Sequence, residues 1–158
     1  MKQEISRFVR GDMLLIFEKD EKGMVGFTLI PKETEGMLKE KDCGAAPLVE
    51  LYVRGDVLPA DYAAGNTMCG SASTFSLVFE RQYTDGDSIV TCFRDSTGSR
   101  EVTHTLVFSE ELRAVECYSE IKNAGDRGFT LEMISSGNIG GLTPYDAEIG
   151  RASCRERV

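Results

Sequence analysis

The sequence predicts an all-β fold, an antiparallel β-sandwich, on three observations. Short runs alternate apolar and polar residues with a period of two. Polar turns rich in Gly, Asp and Asn separate those runs at short, regular intervals. No long window carries the 3.6-residue period of an amphipathic helix.

The elements follow in order. Ile5 to Val9 is a first short strand, and Met13 to Phe17 is the second. The turn Asp20 to Gly23 leads into Met24 to Ile30, which Pro31 stops because proline cannot donate to a ladder. Lys32 to Pro47 is polar and punctuated by Gly36, Gly44 and Pro47, so it reads as a surface loop with room for one helical turn. Leu48 to Val53 is a strand closing on Arg54-Gly55-Asp56, and an irregular stretch runs from Val57 to about Ser73. A meander then takes over. Its strands are Phe75 to Tyr83, Ser88 to Phe93, Glu101 to Phe108, Leu112 to Ile121 and Phe129 to Ile134. Alternation sets Val102, His104, Leu106 and Phe108 on one face of the third of these, with Thr103, Thr105 and Val107 on the other.

Composition fits one globular domain: 158 residues, 41% hydrophobic and 28% charged. Eighteen basic against 26 acidic residues leave a formal charge of −8, without any Lys/Arg block. That balance argues against nucleic acid and against anionic membrane surfaces as partners. No apolar run reaches the ~20 residues a membrane helix needs, and the N-terminus lacks the apolar stretch of a signal peptide. The thiols are expected to be reduced, in a cytoplasmic setting.

The last eleven residues, Glu148-Ile-Gly-Arg-Ala-Ser-Cys-Arg-Glu-Arg-Val158, back-translate codon by codon into what resembles a sequencing adapter read in frame. Residues 1–147 are therefore expected to form the domain and 148–158 a non-native tail, with the natural chain continuing past Ala147.

Candidate chemistry is sparse. Outside that tail the cysteines are Cys43, Cys69, Cys92 and Cys117; none forms a CxxC pair, so neither a zinc site nor a cofactor is expected. Cys92 and Cys117 lie in strand patterns, where a free cysteine acts as a small hydrophobe. His104, the only histidine, is read as a hydrogen-bonded sheet residue rather than a general base. The two Arg-Gly-Asp triplets, Arg10 to Asp12 and Arg54 to Asp56, read as turns, and Gly137-Asn-Ile-Gly-Gly141 lacks dinucleotide-binding spacing. Glycosidases place two carboxylates ~5–9.5 Å apart, but spacing along strands does not select a pair among so many acids, and no catalytic residue is assigned. Tyr62 stands out as an aromatic residue in an irregular loop.

Four stretches carry a family resemblance: Leu48-Val-Glu-Leu-Tyr-Val-Arg-Gly-Asp56, Gly65-Asn-Thr-Met68, Val102-Thr-His-Thr-Leu106 and Glu116-Cys-Tyr-Ser-Glu-Ile-Lys-Asn123. A fifth, Phe129 to Pro144, is similar to a strand-and-glycine passage leading toward a barrel. In this order they resemble the N-terminal β-sandwich of family 36 glycoside hydrolases, the α-galactosidase family. The resemblance implies a sandwich of the supersandwich type that precedes a catalytic (β/α)-barrel. There, two carboxyl groups would hydrolyse terminal α-galactosides with retention, or transfer the galactose instead. It also implies a homo-oligomer in which sandwich loops approach a neighbour's active site. By that resemblance Asp56, Asp61, Tyr62 and Asn66 are candidate substrate-proximal contacts. Several members of the family it resembles place a tryptophan after the Leu-Tyr of this strand, where Val53 stands here. The alternative from another class is a stand-alone carbohydrate-binding or structural sandwich; the absence of tryptophan and of a secretion signal counts against it.

Overall fold

A computed structural model describes residues 2–38, 45–57, 70–109 and 114–138. Nine strands are present among them: β1 (Gln3–Arg10), β2 (Met13–Lys19), β3 (Val25–Pro31), β4 (Leu51–Val53), β5 (Leu77–Asp85), β6 (Ser88–Asp95), β7 (Arg100–Ser109), β8 (Ala114–Asn123) and β9 (Leu131–Ile134). A 3₁₀ turn at Lys32–Met37 and a one-turn helix, α1 (Ala72–Phe75), complete the described elements. The expected all-β antiparallel architecture is what the chain adopts.

The strands form an antiparallel sheet β1-β2-β3, a two-stranded ladder β4-β9 and a four-stranded meander β5-β6-β7-β8. Both Gly-Asp loops make tight hairpins. Gly11 and Gly86 take φ of +58° at the first loop position, between paired Arg10 and Met13 and between paired Asp85 and Ser88. Gly at that position is what a two-residue hairpin of this kind requires. The first Arg-Gly-Asp triplet is thus a turn, as expected.

One hydrophobic core joins all three sheets in a sandwich-like arrangement. Leu15, Phe17 and Val25 come from the first sheet, Leu51 from the β4-β9 ladder, and Ile89, Val102 and Leu106 from the meander. In β7 Val102, His104, Leu106 and Phe108, set on one face by alternation, are all buried, and so is Thr105 on the other. The outer face of the meander is charged. Arg94 bridges Glu80 and Glu101 at 2.9 and 2.8 Å, and Lys122 reaches Glu101 at 3.1 Å. Such exposed pairs contribute little stability; their role is to keep that face wet.

Three local expectations need correction. Leu48 to Glu50 is not strand: these residues are buried in succession, which breaks alternation, and they hydrogen-bond irregularly to Val25, Ser135 and Asn138. Phe75 is helical, not the start of a strand. The Ser71 hydroxyl accepts from Thr74 N–H at 3.1 Å and so caps α1. Cys117 is not a buried small hydrophobe but exposed, whereas Cys92 is buried as expected. Among the described residues β8 ends the meander with one paired neighbour, and Val115 and Tyr118 are exposed too.

Gly26 marks the closest backbone approach. A Cβ there would fall well inside contact distance of the Ala46 carbonyl oxygen, in a segment also held by Asp20, whose carboxylate accepts from Ala45 N–H at 3.0 Å. Gly26→Ala is expected to lower stability by about 1–3 kcal/mol, the usual cost of forcing extra atoms into a packed site. Urea unfolding of the variant checks this, and an unchanged midpoint would show that the 45–47 segment yields freely.

Candidate functional site

The densest polar constellation is a seam where β4, α1 and the β6-β7 turn meet. Its first part is the Arg54-Gly55-Asp56 turn. Asp56 N–H donates to Val53 O at 2.9 Å, and Gly55 supplies a φ of +92°. The Asp56 carboxylate then accepts from Val53 N–H at 2.9 Å and from the Ser73 hydroxyl at 2.8 Å. Asp56 is therefore engaged with its own turn and with α1.

From Ser73 the seam continues inward. Arg100 Nη1 donates to the Ser73 hydroxyl at 2.8 Å, and Arg100 Nε donates to Asp95 at 3.1 Å. Its guanidinium also lies over the Phe129 ring, 5.6 Å from the centroid. Asp95 is the most heavily bonded carboxylate described. It accepts from the Thr97 hydroxyl, from the hydroxyl and N–H of Ser99, and from the N–H of Arg100. Burial pushes its pKa up. The hydrogen bonds from Ser99, Arg100 and Thr97 outweigh that and hold it at about 2.

Beside this chain lies a second buried carboxylate, Glu50, which accepts from Gly70 N–H at 2.9 Å and the Thr74 hydroxyl at 3.0 Å. Thr74 also accepts from Leu51 N–H at 2.9 Å, and the Ser71 hydroxyl donates to Leu51 O. The short helix is thereby fastened to β4 by side chains. Buried polar groups of this kind stabilise only when fully partnered. In the seam each carboxylate faces protein donors, an arrangement suited to clamping three elements together rather than to moving protons.

Of the four candidate contacts, Asp56 sits in this seam, while Asp61, Tyr62 and Asn66 lie outside the described residues. The flanks of their segment meet at the seam, where Ala72 N–H donates to Val57 O at 3.1 Å. Cys43, Cys69, Gly65 to Met68 and the 148–158 tail also lie outside the described residues.

Sequence reasoning missed the seam itself, because its partners are separated by turns and no motif joins them. The Ser71-Ala-Ser-Thr74 run is an N-cap signal that could have found α1. His104 also differs from expectation. It is fully buried, yet neither ring nitrogen has a hydrogen-bond partner among the described residues. Burial lowers its pKa to about 4, so the ring is neutral. An unpaired buried polar group of this kind costs about 1–3 kcal/mol.

Fold and seam define the class: an antiparallel, sandwich-like all-β domain with a structural polar clamp. No protein-family model, curated protein or solved structure matches the chain. Among the described residues no helix is long and apolar enough to cross a membrane, and no cluster of three or more His, Cys, Asp or Glu is placed to hold a metal ion.

Proposed function

We propose that this chain is the accessory β-sandwich of an α-galactosidase-like retaining glycoside hydrolase. One observation carries the reading. Two segments that bear the family resemblance and lie far apart in sequence are neighbours in space, and two that follow one another pair as successive strands. Leu48 to Asp56 and Phe129 to Ile134 meet in the β4-β9 ladder, with Leu51 opposite Ile134. Val102 to Leu106 pairs with the Glu116 to Asn123 stretch in β7-β8, with His104 opposite Ser119. The seam carboxylates are occupied by internal donors, so the chemistry is assigned to a catalytic barrel following the sandwich. There a nucleophilic carboxylate and an acid/base carboxyl would cleave terminal α-galactosides. The sandwich's part is to support that barrel and a homo-oligomer interface.

The deciding experiment is sequencing of the source DNA past the Ala147 codon. An open frame running on into alternating strand and helix patterns with strand-end aspartates supports the reading. A genuine stop codon after Val158, recovered from independent DNA, sinks it. A second test separates the binding-module alternative. The chain itself is expected to leave p-nitrophenyl α-galactoside uncleaved and to bind galactose undetectably by calorimetry. Millimolar or tighter binding that Tyr62→Ala abolishes would instead make it a carbohydrate-binding module.

A further inference from the structure

We infer that β8 is a dimerisation strand, pairing edge to edge and antiparallel with β8 of a second copy of this chain, about a two-fold axis through Ser119. Exposure, regularity and charge converge on it. Ala114 to Tyr118 are exposed in succession, which in a strand means both faces, and Val115 and Tyr118 are 41% and 46% exposed. The strand contains neither proline nor glycine and pairs with β7 over its whole length without a bulge. The other described edges are blunted or covered: β1, β5 and the β4-β9 ladder carry register breaks, and β3 is largely buried.

Charge selects the occupant and the register. The charged residues of β8 are Glu116, Glu120 and Lys122. An axis through Ser119 sets Glu116 opposite the partner's Lys122, twice by symmetry. In that register Tyr118 lies opposite the partner's Glu120, and Cys117 opposite the partner's Ile121. Moving the axis one residue either way destroys the match. Through Tyr118 it sets Glu116 opposite the partner's Glu120; through Glu120 it sets the two copies of that residue against each other. Like charges directly opposite are destabilising, so the Ser119 register is the one favoured.

The contact closes on itself, because a two-fold axis uses the same surface on both copies and joins their meanders into one continuous sheet. Main-chain hydrogen bonds along the edge supply the affinity, as in other strand additions, and Val115 and Tyr118 lose exposure. The exposed ion pairs contribute little energy and fix the register instead. Lys122 already reaches Glu101 at 3.1 Å; in the dimer it lies between that carboxylate and the partner's Glu116. The inference rests on the strand itself, and the glycosidase reading neither requires this surface nor falls with it.

The test is sedimentation equilibrium of the whole chain, and the wild type is expected to dimerise. Glu116→Lys and Lys122→Glu, both at exposed positions, are each expected to weaken the dimer by roughly tenfold or more, because both symmetric pairs become repulsive. Glu116→Lys also reduces the formal charge of −8, so a non-specific charge effect would run the other way. The double variant Glu116→Lys/Lys122→Glu is expected to restore the dimer, since its pairs are reversed rather than lost. A wild type that stays monomeric at its highest soluble concentration would overturn the proposal and leave the sequencing test of the glycosidase reading untouched. So would a dimer that the single changes do not weaken, or that the double change does not restore.

Discussion

Phe17→Ala is expected to destabilise the domain by about 3–5 kcal/mol, the range for losing a buried aromatic side chain with incomplete collapse of the cavity. Phe17 is fully buried on β2, the middle strand of its sheet. Its ring meets Phe8 edge-on at 5.9 Å and stacks on Phe27 at 5.7 Å, so neighbours on both flanking strands lose a contact at once. Those strands are locked in register on either side, with Phe17 opposite Ser6 and Phe27, and cannot close on the void without breaking ladders. Domains of this size are typically stable by only about 5–15 kcal/mol, so this one change removes a large share. Urea denaturation measures it. A cost under about 1 kcal/mol would mean that the first sheet is not part of a common core. Tyr83→Ala, at a strand position 46% exposed, is the control and should shift stability little.

Asp95→Asn is expected to cost about 3–5 kcal/mol, as when one partner of a buried ion pair is removed. The Asp95 side chain is 1% exposed and paired with Arg100. An amide would turn its NH₂ toward at least one of the donors that now converge there: the Thr97 and Ser99 hydroxyls, the N–H groups of Ser99 and Arg100, and Arg100 Nε. The pH dependence identifies the group. With a folded pKa of about 2 against an ordinary 3.8, Asp95 contributes stability that is fully present above pH 3.8 and lost as pH falls through the folded value. That contribution is about 2 kcal/mol. His104, lowered from 6.5 to about 4 by burial, acts in a higher window: its contribution is present above pH 6.5 and lost as pH falls toward 4. Acid unfolding should therefore proceed in two stages, and Asp95→Asn should flatten only the lower one. A lower stage of undiminished slope in the variant would remove Asp95 as its source.

The hairpins were readable from the chain because their signals are local. Gly11-Asp12 and Gly86-Asp87 satisfy a two-residue turn from within, and alternation in β7 sorts its residues onto two faces without reference to any other strand. The candidate site was far less readable. Asp56 was singled out through a family resemblance, yet its carboxylate is held by Val53 and Ser73. Ser73, Asp95 and Arg100 drew no notice, since serine, aspartate and arginine beside turns look like solvated surface until another element covers them. Cys117 misled in the opposite direction: alternation assigns it to a face but does not say whether that face has a neighbour.

By itself, then, the sequence determined the strand class, the main turns and which residues of β7 share a face, because a period of two and a glycine's positive φ act over a few residues. Tertiary structure alone decided which polar groups became buried partners. It set the Asp56–Ser73–Arg100–Asp95 seam, the exposure of β8, and the burial of His104 without a hydrogen-bond partner among the described residues. The reason is physical: desolvation and hydrogen-bond satisfaction depend on what stands across a space, and strands distant in sequence supply it.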